Sequence, residues 1–597
     1  MPLVSAAVPA PWWTPLTYRS ESVLGEGLRV RVPLGRDSRV ALTVAESEEG
    51  AETEKIKSIE RVIDEKPPLP AELWRLIKWF GDTWFIGTGL AAKTLLPAKF
   101  FTDEKLPEIK QTPNSSQKFS VESLYGAELS KRYEYYRTAA EGGDRALILF
   151  PEAKLAKAFW KTLPKGLQDC GALWPLSPQA RWKMWRLARS GELRFIVGSP
   201  AAAFAPLAGL SAIVMDEENS GSWRTQSHPL FHTRSLLGVR ADFAGSRLVL
   251  GGIMPSSKCY LRAKPICLED KNDERLVFVS SNDSQSAEFE ALRDTLPLSV
   301  PLIRESVRAR EEGGWVFWLL DRKGYASEIL CEECGNTLRC ARCGSSMRWE
   351  DSKKCLSCNV CGGSIAVPQS CPNCGGRLLI GSRPGLEALY ERARSALKYK
   401  FKNVLLIQNK EEKLPDSKQL KREFPDGALI VGTRRLLSLC DELSPAAVGW
   451  IDADAEARGA EYDSKARAFA MLWESMWRGA EGCERKVIVQ SRRPSTGWQE
   501  GLRRGWGLFW RRELKERSEW ELPPFMPLIK ISAERGDARK ISQKLDEAGA
   551  EYWASEEDAG EIWVRTKRFA ALREILKPFF SIASTKKTFP TVSLYLD

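Results

Sequence analysis

The chain lacks the features that would place it in a membrane or outside the cell. None of its apolar runs approaches the roughly 18 residues that a membrane-spanning helix needs, and its first residues do not follow a signal-peptide pattern. Neither histidine, His228 or His232, lies in the cysteine-rich stretch, so the mixed ligand set of a catalytic zinc site is missing there. We therefore expect a cytoplasmic protein without a membrane partner.

The composition favours a polyanionic partner. A chain of 597 residues is long enough for roughly three to five domains, each able to bury its own core. Its formal net charge is +11, and 22 Trp residues add large flat aromatic surfaces. Positive charge together with aromatic rings is typical of proteins that bind nucleic acids.

Nine of the 14 cysteines fall between Cys331 and Cys374, mostly as pairs separated by two residues. The pairs are Cys331 with Cys334, Cys340 with Cys343, a third pair drawn from Cys355, Cys358 and Cys361, and Cys371 with Cys374. Two such pairs hold one Zn²⁺ in a closed structural site, so four pairs predict two zinc ions. Either Cys355 or Cys361 is the partner of Cys358, and we prefer Cys361. Disulfides are the alternative, but the other five cysteines are scattered singly.

The order of the remaining patterns indicates several domains. Alternating residues at 30–36 and 39–44 predict a small β unit, residues 70–80 predict a helix, and residues 99–118 predict a polar linker. Short apolar runs between helical patterns then predict two parallel α/β lobes. The runs lie at 145–150, 193–197, 211–215 and 247–250 in the first lobe, and at 315–320, 404–407, 428–431, 448–451 and 486–489 in the second. The basic, aromatic segment 501–512 is either a base-stacking surface or a helix with a solvated Arg face.

Several short motifs accompany this order. They are Phe150-Pro-Glu152, Asp216-Glu-Glu218, Asp321-Arg-Lys-Gly-Tyr-Ala326, Val431-Gly-Thr433, Asp452-Ala-Asp454 and Leu522-Pro-Pro-Phe525. Together with the cysteine spacing they resemble the PriA family of replication-restart helicases, also called primosomal protein N-prime, nearly from end to end.

The resemblance implies a multidomain α/β fold. The expected parts are a β-rich N-terminal DNA-binding domain (1–98), the linker (99–118), a first RecA-like lobe (119–275), a second RecA-like lobe (276–327 and 379–520), a zinc-ribbon-like insertion (328–378) and a small α+β C-terminal domain (521–597). Only the linker stands where the family has a winged-helix domain.

The resemblance also implies sites for metal and DNA. One zinc would be held by Cys331, Cys334, Cys371 and Cys374, and the other by Cys340, Cys343, Cys358 and Cys361, with Cys355 as the spare thiol. The N-terminal domain would capture the 3′ end of a nascent strand at a fork. Leu16, Gly35 and Lys57 align with the pocket positions of that domain, and Thr17 replaces a family Asp.

The predicted nucleotide site departs from the P-loop pattern GxxxxGK[ST]. At the matching place the chain reads Gly126-Ala-Glu-Leu-Ser130-Lys131-Arg132-Tyr133. Lys131 therefore replaces the closing Gly, Arg132 replaces the Lys, and Tyr133 replaces the hydroxyl that binds Mg²⁺. These changes argue against ATP and Mg²⁺ as working cofactors.

Two catalytic motifs of the family are only partly kept. Asp216 and Glu217 retain the form of the pair that holds Mg²⁺ and polarises the attacking water. In the motif that normally supplies two arginines, only Arg478 remains, and Glu481 takes the other place.

We therefore expect a replication-restart protein that binds forked or single-stranded DNA and nucleates primosome assembly with inactive helicase lobes. By resemblance its partners are primosome and helicase-loading proteins and single-stranded-DNA-binding protein, and it is associated with the nucleoid. The alternatives are an active ATP-dependent 3′ to 5′ helicase of the same family and a zinc-ribbon interaction protein unrelated to replication.

Overall fold

A computed structural model describes most of the chain. The described residues are 1–46, 56–108, 118–126, 128–142, 145–262, 266–267, 275–280, 298–321, 326–331, 333–334, 336–341, 347–350, 355–358, 363–377, 379–408, 414–458, 461–491, 494–554, 560–581 and 588–597. They form two compact units, one of Met1–Leu268 with Leu514–Asp597 and one of Glu269–Glu513. Among these residues, no helix is both long and apolar enough to cross a membrane.

The N-terminal domain is an antiparallel five-stranded sheet followed by two helices, which confirms the predicted β unit. Across the sheet the strands are Leu16–Arg19, Leu3–Ala7, Asp37–Glu46, Arg29–Leu34 and Arg61–Val62. The helices are Ala71–Thr83 and Gly87–Leu95. Leu73, Leu76, Ile77 and Phe80 recur at helical spacing and are fully buried, because they form the apolar face of the first helix.

The first part of the predicted linker is ordered by a buried arginine. Residues Ala98–Phe101 form a 3₁₀ turn. The fully buried Arg29 forms an ion pair of 2.8 Å with Asp64 and donates to the carbonyl oxygens of Phe100, Thr102 and Glu104, each at 3.0 Å. Segment 98–104 is therefore anchored to the N-terminal sheet.

The first lobe is a parallel seven-stranded sheet with a RecA-like α/β arrangement. Across the sheet the strands are Ile266–Cys267, Ser120–Tyr125, Arg247–Gly252, Ala212–Met215, Ala146–Leu149, Phe195–Gly198 and Gly171–Leu173. The helices are Leu129–Glu141, Ala153–Thr162, Lys165–Gln168, Pro178–Ser190, Thr233–Ala244 and Ser257–Arg262, with 3₁₀ turns at Pro200–Ala202 and Gly221–Trp223. The four predicted strands are all present, and the central ones are buried on both faces, as parallel strands between helices must be.

The second lobe has a parallel six-stranded sheet. Across the sheet the strands are Leu276–Ser280, Lys486–Ser491, Ala447–Trp450, Val316–Leu319, Leu429–Gly432 and Val404–Ile407. The helices are Val300–Glu311, Leu386–Ala396, Ser417–Glu423, Cys440–Leu443, Ser464–Trp477, Glu500–Arg504 and Trp506–Glu519, with 3₁₀ turns at Arg434–Leu439, Glu456–Arg458 and Gly497–Gln499. The cysteine-rich insertion follows the second strand of this lobe along the chain, because the edge strand Leu276–Ser280, which the predicted runs did not include, precedes Val316–Leu319.

The insertion is an antiparallel five-stranded sheet. Across the sheet the strands are Ser364–Ile365, Cys355–Cys358, Met347–Glu350, Ala326–Cys331 and Leu379–Pro384. Its small core includes Ile329, Leu338, Met347 and Leu356, together with the thiols of Cys340 and Cys358. So few apolar residues bury little surface, which is typical of small domains that depend on metal for stability.

The C-terminal domain has the strand and helix order β-α-β-β-α-β, which is that of ferredoxin-like folds. Its elements along the chain are Leu528–Ser532, helix Arg535–Glu547, Tyr552–Ala554, Glu561–Arg565, helix Phe569–Leu576, a 3₁₀ turn at Lys577–Phe580, and Thr591–Tyr595. The sheet is antiparallel, with the first and third strands at its centre. A small α+β domain was predicted for this region.

Candidate nucleotide, metal and DNA-binding sites

The segment that corresponds to the P-loop is short and soon becomes helical. Strand Ser120–Tyr125 ends at Tyr125 and the next helix begins at Leu129, two residues before Lys131. A working P-loop instead has about four residues between its two glycines, and its backbone N–H groups surround the phosphates. Lys131 lies in the first helical turn, 52% exposed, with its Nζ 2.9 Å from Glu128.

Arg132 fills the space between the strand ends of the first lobe. Its side chain is 3% exposed, and its Nη2 lies 2.8 Å from Glu217 Oε1 while its Nε lies 3.4 Å from Asp216 Oδ1. Its Nη1 also donates to the carbonyl oxygen of Gly126 at 3.2 Å. One turn further along the helix, Tyr136 donates a 2.8 Å hydrogen bond to Asp216 Oδ1. The helix therefore supplies both a cation and a hydroxyl to the carboxylates that would otherwise hold Mg²⁺.

Arg132 and Tyr136 both keep their protons at neutral pH. Burial works against the cationic form of Arg132, but the carboxylates of Asp216 and Glu217 outweigh it and raise its pKa further above the ordinary value. Burial and the adjacent Asp216 carboxylate raise the pKa of Tyr136 well above its ordinary value, so its hydroxyl keeps its proton. A permanent guanidinium of this chain therefore offsets part of the negative charge of the two acids.

Tyr133 faces the core of the lobe. Its ring packs edge-on against Phe150 and Phe159, with centroids 5.6 and 5.1 Å away, and its hydroxyl lies 3.5 Å from the carbonyl oxygen of Leu155. The three altered positions thus have three separate surroundings: Lys131 lies beside Glu128, Arg132 between acids, and Tyr133 among aromatic rings. The residues present do not fit a bound Mg²⁺ and nucleotide phosphate.

A second buried network surrounds Glu218, which the sequence did not single out. Glu218 is fully buried, and its Oε1 accepts from the Tyr125 hydroxyl at 2.9 Å and from the backbone N–H of Ser256 at 2.7 Å. Its other oxygen is ion-paired with Arg234, which also contacts Asp597. The sequence could have pointed to this network only through the positions of its members. Tyr125 directly precedes the P-loop segment, and Glu218 directly follows Asp216 and Glu217.

His232 begins the helix that carries Arg234. Its Nδ1 accepts the backbone N–H of Arg234 at 3.2 Å and so caps the helix Thr233–Ala244. Burial, and then the neighbouring cations Arg234, Arg224 and Lys258, lower the pKa of His232 well below its ordinary value. The imidazole is therefore neutral in the folded lobe.

Arg478, the remaining arginine of its motif, is engaged by acids of its own lobe. Its Nε lies 3.0 Å from both oxygens of Asp441, its Nη2 lies 2.7 Å from Asp441 Oδ2, and its Nη1 lies 2.8 Å from Glu474 Oε1. Such a two-carboxylate clamp holds the guanidinium in one orientation. To stabilise a transition state, Arg478 would have to break its ion pairs with Asp441 and Glu474.

Cys331, Cys334, Cys371 and Cys374 form a four-thiol cluster, with all four sulfur atoms within 4.8 Å of one another. Cys331 and Cys374 are 3.6 Å apart at sulfur, and Cys334 and Cys371 are 3.7 Å apart. Four sulfurs at about 2.3 Å from one zinc ion in a tetrahedron would be roughly 3.8 Å apart. The cluster therefore fits a metal ion, with the ligand set that the resemblance implied.

Backbone N–H groups face these sulfurs. The N–H of Asn373 donates to Cys371 at 3.4 Å, and that of Gly376 donates to Cys374 at 3.3 Å. Gly375 between them has φ 76°, a left-handed conformation that glycine adopts without strain. The backbone N–H of Asn336 lowers the pKa of Cys334, which favours the thiolate form that binds metal.

The second predicted zinc site is described only in part. Cys340 and Cys358 are buried in the same small core, whereas Cys343 and Cys361 lie outside the described residues. Cys355 stands three residues before Cys358 on strand Cys355–Cys358. Three residues of strand span about 10 Å, and side chains at odd spacing point to opposite faces. Cys355 and Cys358 therefore do not converge on one point.

The three predicted DNA-pocket residues lie on neighbouring segments of the N-terminal sheet. Gly35 has φ 64° in the turn before Asp37, and its carbonyl oxygen accepts a 3.2 Å hydrogen bond from Lys57 Nζ. Leu16 packs on the same apolar cluster as Tyr18, whose hydroxyl donates to the carbonyl oxygen of Pro33 at 3.2 Å. The exposed ammonium of Lys57 is therefore held next to a glycine turn, where a phosphate or sugar can approach the backbone closely.

Comparisons with known proteins find similar sequences. Residues 5–97 match the PriA 3′DNA-binding domain (3′BD) family. The chain is 24% identical over 459 residues to the replication restart protein PriA of Bacillus subtilis, which covers 74% of the chain and 57% of that protein. It is 24% identical over 578 residues to the replication restart protein PriA of Rickettsia felis, which covers 91% of the chain and 88% of that protein. The match spans less than two thirds of the Bacillus subtilis protein and, at 58%, of the Chlamydia pneumoniae protein of the same name.

Proposed function

We propose that this chain belongs to the PriA family, binds branched DNA during replication restart and nucleates primosome assembly. The single observation that carries the DNA-binding part is the match of residues 5–97 to the 3′DNA-binding domain. The excess of positive charge over the chain supports a polyanionic partner. The relatives are named as replication restart proteins, and that role is extended to this chain.

In this proposal the helicase lobes are a scaffold and hydrolyse little or no ATP. Arg132 supports this part, because its guanidinium is buried against Asp216 and Glu217. A nucleotide would have to displace that cation and leave two acids facing the phosphates. The clamp on Arg478 also acts against hydrolysis, since an arginine finger is worth about 10³ to 10⁵ in rate.

We further propose two structural zinc ions in the insertion. The geometry of the first four-thiol cluster supports one ion. The shared burial of Cys340 and Cys358 supports a second site, with Cys343 and Cys361 as the other ligands and Cys355 as a spare. A stable insertion would present a surface for primosome and helicase-loading proteins and for single-stranded-DNA-binding protein, the partners expected from the family resemblance.

The 3′-end pocket is tested by comparing two forks that differ only at the junction, one with a nascent 3′ end and one with a gap. Wild-type protein should prefer the first fork, and Lys57→Ala should lose most of that preference because it removes the exposed cation beside Gly35. Lys66→Ala changes another exposed lysine of the same domain and should behave as wild type. Equal preference in wild type and Lys57→Ala would contradict the pocket assignment.

A further inference from the structure

The C-terminal sheet has one face covered by helices and a second, partly exposed face, which we call the open face. Along the central strands, buried residues that point toward the two helices alternate with partly exposed ones. Leu528 is the exception, because it is 6% exposed and lies at one end of the open face, opposite Tyr595 and Arg565. The buried set is Ile529, Ile531, Ile562, Val564, Val592 and Leu594, together with the helix residues Ile541, Leu545, Leu572 and Leu576. Because side chains alternate across a strand, the residues between these lie on the opposite face.

Aromatic side chains form a row across that open face. Strand pairing places Trp553 opposite Trp563, and Trp563 opposite Lys530. The two indole rings are parallel to within 4°, with centroids 6.3 Å apart, and the Tyr595 ring lies 5.5 Å from Trp563 at 31°. Trp553 is 44% exposed, which is unusual for a residue of its size. We call Trp553, Trp563 and Tyr595 the aromatic row.

Cations accompany the aromatic row. Lys530 Nζ lies 5.6 Å from the centroid of Trp563 and is ion-paired with Glu561. Arg565 lies two residues beyond Trp563 on the same face, and the exposed Lys567 and Arg568 follow the end of its strand. Arg565 pairs with Glu551 and Glu521 and donates to the carbonyl oxygen of Trp520 at 3.2 Å. Lys530 and Arg565 are 25% and 24% exposed, so each would exchange a carboxylate for a phosphate on binding, whereas Lys567 and Arg568 are exposed to a phosphate directly.

We propose that the aromatic row is a binding site for single-stranded nucleic acid, in which the rings stack on unpaired bases and Lys530, Arg565, Lys567 and Arg568 contact the backbone. The central strands of a four-stranded sheet carry the stacking residues in other single-strand-binding domains, and stacking is indifferent to base identity. A base inside a duplex is already stacked on its neighbours, so an aromatic face selects unpaired bases. This site deepens the proposed function and rests on it, because a fork offers single strands beside its junction.

The test measures the affinity of the full-length protein for a labelled 15-nucleotide dT oligomer with a blocked 3′ end, so that 3′-end capture does not contribute. A second probe has the same backbone without bases. Trp553→Ala and Trp563→Ala should each weaken dT binding about tenfold and leave binding of the abasic probe unchanged. Trp563→Phe, which keeps a flat ring, should lose less. An rU oligomer of equal length determines whether the strand is DNA or RNA, and tight binding of either one supports the proposal.

Controls separate this site from folding and from the N-terminal pocket. Tyr399→Ala removes a 93% exposed aromatic ring of the second lobe and should change nothing. Lys57→Ala should lower the preference for a 3′ end but not binding of the blocked dT oligomer. Trp553→Ala carries the test if Trp563→Ala does not fold. Unchanged dT affinity in Trp553→Ala and Trp563→Ala would overturn the proposal and would favour a protein as the partner of this face. Equal losses for dT and the abasic probe would overturn it too, because they would show that phosphate contacts alone were disturbed.

Discussion

Replacing Arg132 by alanine should destabilise the first lobe even though no ligand is involved. The substitution removes a cation that is 3% exposed and leaves Asp216 and Glu217 without it, at 1% and 22% side-chain exposure. Removing one partner of a buried ion pair costs about 3–5 kcal/mol. At about 1.4 kcal/mol per factor of ten, hydrogen exchange within strand Ala212–Met215 and helix Leu129–Glu141 should become roughly 10² to 10⁴ times faster.

Hydrogen exchange suits this test because a chain with several domains does not unfold in a single step. Arg137→Ala is the matched control: it lies on the same helix, and its ion pair with Glu141 is 39% and 46% exposed. That change should cost no more than about 0.5 kcal/mol. Adding Asp216→Asn to Arg132→Ala should recover part of the loss, since the orphaned charge is then gone. An effect of Arg132→Ala no larger than that of Arg137→Ala would refute the buried-cation account.

Three further predictions concern neighbouring features. Tyr136→Phe should lower the stability of the first lobe by about 1.5–3 kcal/mol in the same exchange measurement, because it removes a hydrogen bond to the buried Asp216. Elemental analysis should find about two zinc ions per chain in wild type and in Cys355→Ser and one in Cys331→Ser; a single ion in wild type would contradict the second site. His232 is neutral in the folded lobe but takes up a proton near pH 6.5 when unfolded, so its contribution to stability is complete above that pH and is lost as the pH falls toward 5. His232→Asn should keep the helix cap and reduce the loss of stability between pH 7.5 and pH 5.5, which hydrogen exchange within helix Thr233–Ala244, corrected for the pH dependence of exchange itself, would measure.

Spacing was sufficient to predict pairs of thiols, because two-residue gaps bring the two sulfurs of a pair together locally. The long-range step, which joins Cys331 and Cys334 to Cys371 and Cys374, came from the family resemblance, and the structure places these four sulfurs together. Spacing left open whether Cys355 or Cys361 pairs with Cys358. The strand Cys355–Cys358 argues against Cys355, because its side chain and that of Cys358 point to opposite faces. The apolar runs likewise predicted most strands of both lobes. The edge strand Leu276–Ser280 was missed, although Leu276-Val-Phe-Val279 is an apolar run of the same kind, and in the structure only Val279 in it is buried.

The contacts inside the candidate nucleotide site were harder to predict from the sequence. Alignment to the P-loop pattern located Arg132 but not its partners, since Asp216 is 84 positions further along the chain and is brought close only by the order of the strands. Tyr136 had a local signal, because residues four apart share a helix face. The aromatic row had no local signal in the sequence, because residues 553, 563 and 595 become neighbours only through the pairing of strands in the C-terminal sheet.

DNA-stimulated ATP hydrolysis on a forked substrate tests the central claim most directly. With Arg132 buried between the acids that would bind Mg²⁺, wild type and Asp216→Asn should both show the rate measured without protein. Turnover on the order of 1 s⁻¹, within the ordinary range of enzymes and abolished by Asp216→Asn, would contradict the account and show that the first lobe uses nucleotide.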